Sequence, residues 1–513
     1  MNFNLDKKSF LIFLLLTLIF FFQVDDNIKC ENHAANEKII IQNDSLNINA
    51  HPETNHGDKF APIYILLFFI IIGAVLGRFL SKKVKQPAVL GELIAGVIIG
   101  AVLYQFNSPI MTLVRHQDDV NKIVQSSLTE NVTWDQAVRE NLPKESFKEG
   151  EYGNEMIDIM KSPEFPQYNM TVEAIFLLSS FGVLILLFAV GLESSVEDML
   201  KVGGPALITA TIGVVVPSLL GYTIAMILLP DHDPNFYLFV GAALCATSIG
   251  ITARVFKDMG KLNIPEAKIV LGAAVIDDIF GLIVLAVVAG IISSGSMEIS
   301  TIGIILLKAI LFLGITLFVG VKFLRQQIKV AAIIENKNIR LLFPFALLVF
   351  LAWMSDKIGL ASIVGAFAAG LIIKEEYFDD ALEDKRESVK MVMEPIEAIF
   401  APVFFVIMGL QVDLSAFTNL NILGVALALT FVAVLGKLVS GIFAKGMDKK
   451  IIGIGMIPRG EVGLIFASIG KAIGILDGAL FSIVIIIVIL TTFITPPALK
   501  WAFENHDKKL LNK

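Results

Sequence analysis

The sequence predicts an all-α polytopic membrane protein whose thirteen transmembrane helices form two repeats of inverted topology. Three observations lead there. Apolar runs of about twenty residues recur almost to the C-terminus, the length a helix needs to cross a bilayer. Basic residues cluster in alternate short loops. Two apolar motifs return in the same order in the second half of the chain, seven spans after their first appearance.

Composition excludes the main alternatives. Of 513 residues, 55% are hydrophobic and only 17% are charged, and the mean hydropathy is +0.75. A soluble chain of this length would separate several cores by polar linkers. A membrane barrel would show short alternating strands, and the sequence has no such pattern. The two cysteines, Cys30 and Cys245, form no disulfide framework or zinc spacing, and no histidine pair has metal-ligand spacing on a helix. No cofactor is expected, and the net charge of -7 gives no sign of a nucleic-acid partner.

Residues 1–24 read as a signal-peptide-like segment: Lys7 and Lys8 precede the short apolar run Phe10–Phe22. Cleavage stays open, because no clear small-residue site follows. Residues 25–60 form a polar external segment, and 61–502 the membrane domain, with a tail at 503–513. The spans fall at about 62–80, 86–105, 171–192, 204–229, 235–254, 264–292, 299–322, 340–356, 359–374, 396–412, 419–443, 451–473 and 478–501. Loops assigned inside carry Arg78, Lys82, Lys83 and Lys85; Arg254, Lys257 and Lys261; Lys322, Arg325, Lys329 and Arg340; Lys385, Arg386 and Lys390; Lys445, Lys449 and Lys450. Short outer loops hold little beyond Lys357 and Lys471. The asymmetry puts the mature N-terminus outside and the C-terminus in the cytoplasm, as expected for a prokaryotic inner (plasma) membrane.

The insertion at 106–170 has no span-length apolar run and is expected to form small amphipathic helices over the outer face. It either concentrates cations electrostatically or is a tolerated surface addition. Asn131-Val-Thr has the form of a glycosylation sequon.

The repeat is visible in two places. Gly91–Ile99 and Gly365–Ile373 both run Gly-x-x-x-Ala-Gly-x-Ile-Ile, and FAVGLE (Phe188–Glu193) returns as FVIMGLQ (Phe405–Gln411). Partners lie an odd number of spans apart, so the halves are inverted, a mark of secondary transporters with a midplane site. The repeat also pairs spans 5 and 12 as interrupted helices. One holds Thr247, Ser248 and Gly250 in its middle; the other holds Gly455, Pro458, Gly460 and Gly463. Broken backbone at membrane depth is tolerated where it lines a protein cavity, and its carbonyls and hydroxyls suit a small cation.

Beside these, span 6 carries Asp277 and Asp278 in VIDDIFGLIVLA, with no other carboxylate between Val270 and Ile292. Each such charge costs roughly 2.5–3.5 kcal/mol at the membrane centre on insertion scales, which marks a functional pair rather than ornament. Adjacent helical residues point about 100° apart, so the two carboxylates face different neighbours. Lys437, in VLGKLVSG, is the basic residue deep inside span 11 and needs a partner there. Arg459 and Glu461 flank the break in span 12 and read as structural or gating groups.

VIDDIFGLIVLA, ATSIGITARV, PVFFVIMGLQVD and MIPRGEVGLIFAS together resemble the electrogenic cation–proton antiporters of the NapA and GerN type. The resemblance covers about residues 60–105 and 171–500 and leaves out the leader and the 106–170 insertion. It implies crossed discontinuous helices in a sodium/proton antiporter-like fold. It implies a core of about 204–292 and 419–501, a dimerisation part of about 61–192 and 340–412, elevator-like alternating access, and homodimers. By position, Asp278 matches the aspartate that binds cation or proton, with Thr247 and Ser248 nearby, and Asp277 matches the neighbour paired with the membrane lysine, here Lys437. Sodium or lithium and protons are the implied substrates.

Two rival classes fit the sequence less well. A potassium/proton exchanger of the Kef type is expected to have glutamine where Asp277 stands and a nucleotide-binding domain after the last span. An intramembrane aspartyl protease needs aspartates on two helices, whereas both lie on one here. A transporter, not an enzyme, is the expectation.

Overall fold

Leucine-, isoleucine- and phenylalanine-rich runs fold as helices throughout the described chain, and no strand occurs among the described residues. The computed structural model describes residues 58–511 except 59, 85, 131, 148–151, 194–195, 262–263, 295–298, 335–337, 381–387, 413–418 and 445–446. The leader, nearly all of the 25–60 segment, Cys30, Asn131, Lys85, Lys385, Arg386 and Lys445 therefore lie outside the described residues.

Among the described residues, nine helices are long and apolar enough to cross a bilayer. They are α1 (Ala61–Lys83), α2 (Ala88–Gln105), α7 (Phe165–Glu193), α8 (Val196–Leu228), α11 (Pro265–Ser294), α14 (Ile339–Lys357), α17 (Val389–Leu410), α18 (Leu420–Ser440) and α21 (Gly478–Leu511). Predicted span 7 is not straight: α12 (Ile299–Ile315) and α13 (Val321–Ile334) meet at a π-turn over Thr316–Gly320, with a bend of 54°. Predicted spans 5 and 12 are each two shorter helices, α9 (Pro234–Ala243) with α10 (Ile249–Asp258) and α19 (Lys449–Gly455) with α20 (Glu461–Ala472). Span 9 holds the eleven-residue α15 (Ser362–Ile372). The last helix runs through Pro496 and Pro497 and absorbs the predicted tail as far as Leu511. Phe318, Leu219, Phe431 and Phe79 are exposed on the outside of these helices, a surface suited to lipid rather than water.

The repeat motifs do the same job twice. Gly96 of α2 and Gly409 of α17 face each other: a Cβ on Gly96 would stand 2.1 Å from the Val406 carbonyl, and one on Gly409 would stand 2.2 Å from the Leu93 carbonyl. Their sequence counterparts, Gly370 of α15 and Gly191 of α7, make the equivalent crossing, with the Phe188 and Phe367 carbonyls 2.1 and 2.3 Å from the missing Cβ atoms. Helices α1, α2, α7, α14, α15 and α17 pack on one another, and α8, α9, α11, α18, α19, α20 and α21 form a second set. Helix α17 also touches α20, and the π-turn touches α15.

The insertion forms a packed cap of α3 (Pro109–Arg115), α4 (Gln117–Glu130), α5 (Trp134–Asn141) and α6 (Gly153–Lys161). Thr133 and Gln136 make a capping box at the start of α5. Val120, Ile123, Ala137, Val138, Met156 and Met160 turn inward, the amphipathic pattern expected. Gln117 Nε2 donates to Glu173 of α7 at 2.7 Å, tying the cap to the first set of helices. His116 stacks on Tyr152, with ring centroids 3.5 Å apart. Burial first, then the charges of Lys471 and Arg115, lowers its pKa to about 3, so this imidazole is neutral at ordinary pH.

The glycine crossings give a direct test. Gly96→Ala is expected to cost about 1–3 kcal/mol through overpacking, read as a lower apparent melting temperature of the purified protein. Gly424→Ala, where nothing lies within 4 Å, is the control and should melt at or above the parent.

Candidate functional site

Two unwound stretches cross within the second set of helices. Between α9 and α10 the chain leaves the helix over Leu244–Ser248; between α19 and α20 it does so over Met456–Gly460. The second break follows from its sequence. Pro458 offers no N–H, and Gly460 takes φ -100°, ψ -117°, outside the helical region. The first break lacks both residues, and Gly250 lies inside the first turn of α10 rather than in the unwound stretch.

Unwound backbone in a dry interior must find partners for its polar groups. Here each stretch serves the other. Ser248 N donates to the Pro458 carbonyl at 2.8 Å. Thr247 Oγ1 donates to the Met456 carbonyl at 3.2 Å, and Thr252 Oγ1 to the Gly455 carbonyl at 2.7 Å. Arg459 is fully buried; its Nη2 donates to the Leu244 carbonyl and its Nη1 to the Ile457 carbonyl, so one guanidinium spans both breaks. Thr492 of α21 donates to the Arg459 carbonyl at 3.0 Å. The described hydrogen bonds of the Arg459 guanidinium are thus to carbonyls. Glu461 opens α20, and its side chain lies outside the described residues.

Helix α11 packs against α9, α10 and α19 and brings the aspartates to this crossing. Lys437 Nζ of α18 lies 3.2 Å from each oxygen of the Asp277 carboxylate, and both side chains are fully buried. Lys437 can reach so far inward because its neighbour Gly436 lets α18 press on Pro217 of α8, whose Cα would be 2.9 Å from a Cβ there. Thr247 lies beside the same carboxylate. Asp278, one step along α11, is 6% exposed and turned by the helical step away from Lys437.

Of the residues singled out by sequence, the fold therefore gathers Asp277, Lys437, Thr247, Ser248, Pro458 and Arg459 around one crossing. Thr252 and Thr492 were missed. Thr252 sits in the quoted ATSIGITARV segment and shares its pattern of small hydroxyls. Thr492 gives no signal until α21 is seen lying on α20. No group of histidine, cysteine, aspartate and glutamate able to hold a resident metal occurs among the described residues.

The chain has recognisable relatives. Residues 67–505 match the family described as sodium/hydrogen exchanger, transmembrane. The high-affinity Na+/H+ antiporter NhaS3 of Synechocystis sp. is 35% identical over 460 residues, 88% of this chain and 91% of its own length. The Na+/H+-K+ antiporter GerN of Bacillus cereus is 33% identical over 371 residues, 70% of this chain and 91% of its own. Among solved structures, the sodium proton antiporter MjNhaP1 from Methanocaldococcus jannaschii aligns at a TM-score of 0.54 and 15% identity, covering 87% of this chain and 99% of that one.

The ion pair makes a testable demand. Removing one member of a buried pair strands the other, at a cost of about 3–5 kcal/mol. Lys437→Met should lower the melting temperature of the purified protein, and Asp277→Asn added to it should recover part of the loss. Equal losses in the single and double variants would contradict the pairing.

Proposed function

We propose, for a chain that belongs to the sodium/hydrogen exchanger family, that exchange runs on competition between a sodium ion and protons for the carboxylate of Asp278. The protein is an integral membrane antiporter that carries sodium and protons in opposite directions. The observation that carries the site assignment is the Asp277–Lys437 pair at 3.2 Å beside the crossing of two unwound stretches. Asp278, the adjacent carboxylate on the same helix and itself buried, is in this reading the one that takes up cation or proton.

A cation on Asp278 stabilises the ionised form and displaces protons, whereas protonation removes the charge that held the cation. Unwound carbonyls and the hydroxyls of Thr247 and Ser248 would complete the cation's shell, with lithium as an alternative cargo. Exchange is obligatory if the core crosses the barrier loaded or protonated, but not as a bare anion.

The two sets of packed helices support an elevator-like movement. In that reading α8–α11 and α18–α21 form the core, and α1, α2, α7, α14, α15 and α17 form the dimerisation part of a homodimer. The basic inner loops support a mature N-terminus outside and a C-terminus in the cytoplasm. If Lys437 also releases a proton when the cation binds, more protons than cations move. Transport then gains about 2.3 kcal/mol of driving force per charge per 100 mV.

Asp278→Asn should yield folded protein with no sodium-driven proton flux in proteoliposomes containing a pH-sensitive dye. Flux at the parent rate in that variant would remove Asp278 from its role. Repeating the parent assay at set potentials and with sodium, lithium and potassium in turn reads out electrogenicity and cargo.

A further inference from the structure

The crossing is not the only place where a buried lysine joins distant segments. Lys471 ends α20 on the face that carries the insertion, and it is only 7% exposed. Its Nζ donates to Gln411 Oε1 at 2.6 Å and to the Arg115 carbonyl at 2.8 Å, and it lies 5.1 Å from the Phe481 ring centroid. These partners come from different parts of the fold. Gln411 caps α17 in the first set of helices. Arg115 ends α3, in the cap tied to α7 through Gln117 and Glu173. Phe481 belongs to α21, in the same set as Lys471.

We propose that Lys471 is a latch between the two sets of helices, closed onto Gln411 and the cap in one state of the transport cycle and hydrated in the other. The proposal rests on the reading that the α8–α11 and α18–α21 set moves against the first. Lys437 lies deep inside its helix, fully buried with its partner. Lys471 stands at a helix end, where opening of the insertion face delivers water to replace both hydrogen bonds. A charge-assisted bond that exchanges for hydration suits a reversible catch rather than a permanent staple. Carbonyls at a helix C-terminus, such as that of Arg115, favour a cation.

The repeat supplies a comparison. Gln411 corresponds to Glu193 at the end of α7, and Glu193 is held by Lys390 of α17, inside its own set of helices. Those two side chains are 59% and 63% exposed. The insertion face is therefore shut across the two sets, while its repeat counterpart is engaged within one.

Hydrogen exchange of the full-length protein in lipid nanodiscs, read by mass spectrometry over 464–473, tests the latch together with turnover in proteoliposomes. Lys471→Gln should speed amide exchange there about tenfold, the weight of one charge-assisted hydrogen bond. Gln411→Glu sets an anion against the ammonium, so it should slow both amide exchange and turnover by a similar factor. Lys471→Arg should restore protection. Parent-like protection and turnover in both Lys471→Gln and Gln411→Glu would overturn the latch, as would slowed turnover in both with protection unchanged. If Lys471→Gln does not fold, Gln411→Glu decides alone. Failure of the moving-set reading looks different: a disulfide engineered between α17 and α20 then leaves sodium–proton exchange at the parent rate, whatever the amides report.

Discussion

An ammonium and a carboxylate 3.2 Å apart, both sealed from solvent, set the terms for everything around them. Neither charge could stay at that depth alone. Together they cancel, so the pair can sit at the centre of the second set of helices. Its placement depends on backbone detail: Gly436 seats on Pro217, which draws α18 close enough to α8 for Lys437 to reach α11. A side chain larger than hydrogen at 436 would move the lysine before it disturbed any charge. The next residue, Asp278, is nearly as deeply buried, and in the proposed reading it is the one that takes up cation or proton.

The same accounting governs the unwound stretches. Ten residues outside helical geometry in a dry interior bring donors and acceptors that water cannot serve. The structure answers with reciprocal bonds between the breaks and with Arg459, whose guanidinium closes over carbonyls from both. Rigid partners on every side keep the crossing open as a place without being loose. An ion site at this crossing, as proposed, could lose its ion without collapsing, because its lining is held by bonds within the protein.

Much of this could be read from sequence, and the reasons are local. Helix lengths follow from uninterrupted apolar runs, and the glycine pairs of the repeat announce close crossings that the fold then makes twice. Pro458 and Gly460 announce the second break directly. The parts that could not be read depend on distant partners. The first break was legible only through its repeat partner: Leu244–Ser248 has no proline or glycine of its own, and Pro458 and Met456 offer it carbonyls. Arg459 hydrogen-bonds carbonyls of its own unwound stretch and of Leu244, 215 residues away in sequence. The π-turn at Thr316–Gly320 and the continuation of the last helix past two prolines likewise follow from neighbours rather than from composition. Lys471 read as an ordinary loop lysine because nothing near it in sequence announces the α17 end and the cap that bury it.

Sodium binding measured by titration calorimetry, in buffers of different ionisation heat, tests the competition at Asp278 most directly. Competition at one carboxylate predicts proton release on binding and an apparent sodium affinity that falls about tenfold for each unit of acidification once the site is protonated. Sodium binding of constant affinity across that range, with no proton released, would contradict it.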